Sequence, residues 1–282
     1  MDADAPASPG SLPLDPGLTG ESARPVPGVD NGYQAGYRVR FDEAGPDGRM
    51  RTSSLLRYAQ DIAWRHSEAL GFDRGWYQER GLGWVVRGVE LQLYAPVPMG
   101  HTLRVTTAVV GHRRIWARRL GECRLADGRL AARVTTDWVL LDARNRIVRI
   151  PADFGVAFAN PEVDSEILRV PAPGDPPAHS VQLAVRTRDL DPLDHVNNAV
   201  YVDWLDEALD DGGWADAAAG DHGFTLRLEY LASAERGNAV VVDLYGRPEA
   251  WLAQIRRGDG LDLVRASGTR ASELLASVEA RT

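Results

Sequence analysis

Residues 189–201 read Asp-Leu-Asp-Pro-Leu-Asp-His-Val-Asn-Asn-Ala-Val-Tyr, a run that gathers carboxylates, an imidazole and paired carboxamides around a proline. Such a polar turn, delivered to the start of a helix, has the composition of a reaction site. Asp191 is the first candidate, because a carboxylate there can attack a carbonyl or deprotonate water. An Asx-turn residue before Pro192 is its plainer reading. His195, four residues on, can polarise a carbonyl or hold the carboxylate. Asn198 is the expected N-cap. Ala199 and Val200 would then offer backbone N–H groups and the positive end of a helix dipole to an oxyanion. Asn197 and Tyr201 complete the candidate binding set.

Other chemistries are poorly supported. Cys123 sits on an alternating strand and reads as a buried core thiol. Cys/His spacing for zinc is absent, and Asp191 with His195 lacks further ligands, so no metal is expected. No Walker-type or dinucleotide glycine pattern occurs. Asp206 and Glu207 follow on the second helix and Asp61 lies on the first. Glu207 and Asp61 are the supporting carboxylates expected to line a cleft between two halves.

The elements that must position these groups appear twice. Residues 1–32 are rich in Pro, Gly, Ser and Asp and are expected to form a disordered leader. A strand is expected over 33–41, then a Gly/Asp turn at 42–48. Thr52 or Ser53 is the expected cap of a helix carrying Leu55, Tyr58, Ile62 and His66 on one face and ending at Gly71. Strand-like runs follow at 84–94, 102–111, 114–126 and 130–142. After a Pro-rich, acidic linker at 159–177 the order restarts. A strand through Val181, Leu183 and Val185 leads into the polar turn, a helix from about Ala199, and strands near 224–231, 238–247, 250–256 and 261–269. The implied domains are 33–158 and 178–272, with a tail at 273–282. One long helix among consecutive antiparallel strands implies an α+β unit, and two units imply an internal pseudo-dimer.

Bulk properties narrow the partners. The 282 residues carry a formal net charge of −8, against non-specific nucleic-acid binding. All basic residues are arginine. Arg113–Arg114, Arg118–Arg119, and Arg144, Arg146 and Arg149 form groups expected to be solvated faces. One cysteine fits a reducing cytosol, so a cytoplasmic location is expected. No apolar run is long enough for a membrane span.

The turn Asp-Leu-Asp-x-x-x-His-Val-Asn-Asn-x-x-Tyr at 189–201, with Trp204 and Glu207, resembles the acyl-acyl-carrier-protein thioesterases. Gln60-Asp61, His66 and Leu70-Gly71, leading into Trp84–Tyr94, resemble that family's amino-terminal half. The resemblance covers about residues 33–270. It implies two tandem hotdog folds, hydrolysis of acyl thioesters presented by acyl-carrier protein, no cofactor, and Asp191 and His195 as the catalytic pair. A monomeric pseudo-dimer or a homodimer would satisfy it. The plant enzymes carry Asn where Leu193 stands, and a Glu-Cys pair where Ser233 and Ala234 stand. Those departures exclude a cysteine mechanism. Alternatives are an acyl-CoA thioesterase, a hotdog hydratase with a five-residue Asp-to-His spacing, and a non-catalytic acyl-binding protein.

Overall fold

The computed structural model describes residues 32–158, 166–215 and 223–270, with the backbone of residues 24–25. Its strands are β1 (Arg24–Pro25), β2 (Gly32–Arg38), β3 (Leu82–Leu93), β4 (Thr102–His112), β5 (Trp116–Arg124), β6 (Leu130–Asp142), β7 (His179–Ala184), β8 (Phe224–Tyr230), β9 (Ala239–Arg247), β10 (Ala250–Arg257) and β11 (Asp262–Arg270). Its helices are α1 (Thr52–Ala69), α2 (Arg74–Arg80), α3 (Ala152–Phe158) and α4 (Val200–Asp211). Within the stretch expected as a leader, β1 pairs with Tyr33 and Gln34; the rest of that leader, and the tail, lie outside the described residues. The helices α2 and α3 are additions to the expected pattern. Asp73 caps α2 through Trp76 N.

All strands join one antiparallel sheet in the order β1-β2-β4-β5-β6-β3-β8-β11-β10-β9-β7. Apart from β1 at one edge, the order is symmetric about the β3–β8 seam, with α1 packed on one half and α4 on the other. Two hotdog units thus share a continuous sheet. The register repeats as well. The row Tyr33–Thr107–Gly121–Val134–Leu91 in the first half matches His179–Leu244–Ala253–Ala266–Leu228 in the second. Apolar burial from both sheet halves and both helices forms one core, including Leu91, Leu103, Leu205 and Leu228.

On the axis relating the halves, equivalent residues meet each other. Glu90 lies opposite Arg227 across the seam, with Arg227 Nε donating to Glu90 Oε2 at 2.7 Å. Arg57 on α1 pairs with its equivalent, Asp203 on α4, at 2.5 Å. Both axial pairs are of opposite charge.

The described end of the connecting segment is strapped across that seam. Leu168 N donates to Asp137 Oδ2 at 2.8 Å and Val170 N to Glu229 Oε2 at 3.0 Å. Both carboxylates are almost fully buried, and Arg118 holds Asp137 from the other side at 2.6 Å. Gly88 lets the strap approach, because a Cβ there would meet Leu168 at 2.8 Å.

One residue of an expected solvated face is buried instead. Arg119 packs against His66 on the buried face of α1, with Arg119 Nη1 at 2.9 Å from His66 Nδ1 and 3.3 Å from Thr107 Oγ1. Desolvation, then the Arg119 charge, pushes His66 down to about 3, so the ring is neutral and accepts from Arg119.

Two outcomes test these contacts. Glu229→Ala orphans the buried Val170 N–H and should cost about 1–3 kcal/mol in thermal melts. Arg169→Ala, losing a largely exposed partner of the same carboxylate at 3.1 Å, should cost under about 1 kcal/mol. For His66, the unfolded chain binds a proton first as pH falls below about 6.5, so the folded state loses stability from there toward about pH 3. Between pH 7 and pH 5 the His66→Gln melting temperature should therefore fall less than the parent's.

Candidate functional site

The polar turn is built by its own backbone. A 3-10 turn at Thr187–Asp189 opens it, with Arg186 N donating to Asp189 Oδ2 at 2.7 Å. Asp191 N donates to His195 O at 2.8 Å, and Asp194 N to Asp191 O at 3.0 Å. Leu190 bridges Val196. Asp194 closes the turn at φ 59°, the left-handed region that an Asp tolerates. Asn197 N donates to Asp189 O across the turn, and the turn is pinned to β8 and the loop after it: Val196 N donates to Ala234 O and Tyr230 Oη to Asn198 O.

Asp191 is half-buried. Its Oδ1 accepts from Leu193 N at 2.8 Å and from His195 N at 3.4 Å. Oδ2 accepts no hydrogen bond from any described residue. His195 is also half-buried, and Leu193 is 64% exposed at the rim. Tyr201 Oη accepts from the buried Ala234 N at 2.9 Å. Burial, with the charge of Asp191 adding to it, pushes that phenol up to about 12.

The helix start differs from expectation. Ala199, not Asn198, is the N-cap, and the only local side-chain cap comes from Asn197, whose Oδ1 accepts from Ala199 N at 2.9 Å. Val200 N is bonded to Asn197 O at 2.9 Å. The Ala199 and Val200 N–H groups are therefore engaged already. With Asn197 Oδ1 fixed as acceptor, its Nδ2 amide becomes the available donor. In the first half, too, Thr52 begins α1 rather than capping it, and Arg51 is the N-cap without a side-chain bond.

The supporting carboxylates separate. Glu207 lines a groove of about 520 Å³ between the halves, with Arg51, Arg57, Arg186 and Arg188 among the other walls. Asp61, half-exposed, accepts from Tyr37 Oη and lies 3.9 Å from Arg65; it does not line the groove. Asp206 is half-buried, and desolvation, then the Asp203 charge, lifts its carboxyl to about 7. Cys123 is buried on β5, and desolvation pushes its thiol up to about 12. Among the described residues no cluster of His, Cys, Asp and Glu has metal-binding geometry.

The same turn exists in the first half without its chemistry. Gly45 N donates to Arg49 O at 2.8 Å, Gly48 N to Gly45 O at 3.0 Å, and Arg51 N to Glu43 O at 2.9 Å. Ala44 bridges Met50, Pro46 matches Pro192, and Gly48 has φ 73° where Asp194 has 59°. Gly45 thus stands at the place of Asp191 and Arg49 at that of His195. Of the two turns, the second alone carries a carboxylate and an imidazole at these two places.

A duplicated helix-on-sheet unit sharing one sheet, with a carboxylate–imidazole turn before the second helix, is the double-hotdog class of thioesterase-like proteins. The acyl-ACP thioesterase N-terminal domain matches residues 30–157, and the C-terminal domain of the same family matches 176–241. The chain belongs to the acyl-ACP thioesterase family. The 12:0-ACP thioesterase of Umbellularia californica superposes with a TM-score of 0.72 at 23% identity, covering 85% of this chain and 96% of that one. An acyl-ACP thioesterase from Bacteroides thetaiotaomicron gives 0.73 at 14% identity, covering 85% and 97%. Oleoyl-acyl carrier protein thioesterase 2 of Arabidopsis thaliana is 25% identical over 200 residues, 63% of this chain and 54% of that relative. A dodecanoyl-[acyl-carrier-protein] hydrolase of Umbellularia californica is 26% identical over 226 residues, 74% and 58%. The chain spans little more than half the length of these curated relatives.

The turn should tolerate loss of charge but not of shape. Asp191→Asn keeps an Oδ1 acceptor and should melt within about 0.5 kcal/mol of the parent. Asp194→Val forces a β-branched residue into the left-handed region and should cost about 1–2 kcal/mol, whereas Asp194→Gly should not. Chemical denaturation of the three variants measures the differences.

Proposed function

We propose that this protein hydrolyses fatty acyl thioesters of acyl-carrier protein to free fatty acid and carrier thiol. The observation that carries the reading is Asp191 itself: one carboxylate oxygen fixed by two backbone N–H groups, the other without a partner among the described residues. Asp191 Oδ2 takes a proton from water, and the hydroxide formed attacks the thioester carbonyl carbon. Asn197 Nδ2 donates to the developing oxyanion. Collapse breaks the C–S bond, and the leaving thiolate takes the proton that Asp191 holds. His195, whose backbone N–H donates to Asp191 Oδ1 and whose carbonyl accepts from Asp191 N, sits beside the carboxylate, and its imidazole polarises the carbonyl. A binding protein without turnover is the competing reading, favoured by Leu193, Ser233 and Ala234 at places where the plant enzymes carry Asn, Glu and Cys.

Release of free thiol from a panel of acyl-carrier-protein and acyl-CoA substrates tests the reading. Asp191→Asn should lose at least about 10²-fold in kcat. His195→Ala should lose less and retain some turnover. Cys123→Ala should keep the parental rate, since the thiol is buried and protonated. Parental turnover by Asp191→Asn would sink the mechanism, and absence of thiol release from every substrate would leave the binding protein.

A further inference from the structure

The inner face of the first half holds an arginine with no acid to answer it. Arg118 and Arg119 are neighbours on β5, so they point to opposite faces of the sheet. On the outer face Arg118 grips Asp137 side-on, Nε to Oδ1 at 2.6 Å and Nη2 to Oδ2 at 2.8 Å. On the face beneath α1, Arg119 uses only Nη1, donating to His66 and Thr107. Its Nε–Nη2 edge, the one that Arg118 turns to a carboxylate, donates to no described residue. Arg119 is only 9% exposed, and no described acid pairs with it. Desolvation pulls its guanidinium down to about 10, which leaves it a cation at neutral pH. A buried cation without an anion is costly.

Two further donors turn to the same place. Thr136 stands directly opposite Arg119 on β6, and Trp138 stands diagonal to it on the same face. Trp138 Nε1 is buried and has no hydrogen-bond partner among the described residues. The hydroxyl of the buried Thr136 has none either. Around them the walls are apolar: Val109 and Val89 continue the same row, and the Phe158 ring meets His66 edge-on at 5.6 Å. The second half shows the filled version of this position. By the register, Trp251 stands at the place of Arg119 and Gly268 at that of Thr136. The indole covers Gly268 so closely that a Cβ there would meet the ring at 2.2 Å, and its Nε1 lies against that glycine. One copy packs an indole where the other gathers donors. Paired N–H groups on a planar guanidinium match a carboxylate, which also brings the missing charge. We infer that Arg119, with Thr136 and Trp138, binds a carboxylate carried on an apolar chain. The chain rests on the proposed acyl thioester chemistry, whereas the carboxylate rests on the donors. Two ligands share that chemistry: the fatty acid released by hydrolysis, and an acyl thioester with a second carboxylate at its far end.

The test reads binding first. Octanoate and 1-octanol, equal in chain length and different in charge, are titrated calorimetrically into the full chain. The parent should bind octanoate at least about tenfold more tightly. Arg119→Met keeps the length of the side chain and loses the charge, and should abolish that ratio. Trp138→Phe removes a donor with no partner in the protein, so it should melt like the parent. It should weaken octanoate about threefold and leave octanol unchanged. Arg129→Gln, an exposed change on the β5–β6 hairpin, should leave the ratio intact. Equal affinity of the parent for both ligands would overturn the assignment. So would a ratio untouched by Trp138→Phe, which decides alone if Arg119→Met does not fold. Thiol release from octanoyl-CoA and from the CoA monothioester of octanedioic acid then identifies the source. A preference for the second, lost in Arg119→Met, identifies a substrate carboxylate. Inhibition by octanoate that Arg119→Met relieves, without that preference, identifies the released fatty acid. A parent that shows the binding ratio yet releases no thiol from any thioester would sink the proposed hydrolysis and leave the carboxylate site standing.

Discussion

The hydrogen-bonded seam between β3 and β8 is the constraint on which everything else rests. It makes one sheet of two, and by doing so it sets where α1 and α4 begin relative to each other. The groove, the polar turn and the facing helix start all lie beside the axis that the seam defines. Two buried carboxylates, Asp137 and Glu229, bind the connecting segment across the same seam through backbone N–H groups. Buried acids without such donors would be costly, and with them they fix the segment's register.

The two turns show how one backbone frame can carry very different side chains. Their ladders of hydrogen bonds match bond for bond, and both close through a residue of positive φ. Chemistry resides in the side chains placed on that shared frame. Gly45 and Arg49 leave the first frame silent, while Asp191 and His195 occupy the second. The frame holds one oxygen of Asp191 still and leaves the other without a partner among the described residues.

Alternation of apolar residues, the restart of the element order, and the polar turn were legible in the sequence because each is a local pattern. Asp191, His195, Asn197 and Tyr201 do fall together around one turn, as their spacing implies. Asp61 does not join them, since helical spacing says nothing of Tyr37 on a neighbouring strand. Asn198 is not the cap because the helix starts one residue later than its polar signal implies, with Ala199 at the N-cap and its N–H held by Asn197 Oδ1. Arg119 was hidden for a different reason: a basic residue on a strand reads as solvated until the neutral His66 imidazole of α1 is found against it. The groove arginines gave no sequence signal by themselves.

The opposed charges on the axis carry a historical consequence. In a dimer of identical units each axial residue meets its own copy, so Arg57 would face Arg57 and Glu90 would face Glu90. Here those places hold Asp203 and Arg227 as mates. Each unit has thereby surrendered self-complementarity and become the template for the other. A tandem duplication that has passed this point is a one-way step: neither copy can be dropped from the gene and the survivor still find, in itself, a partner whose axial charges agree.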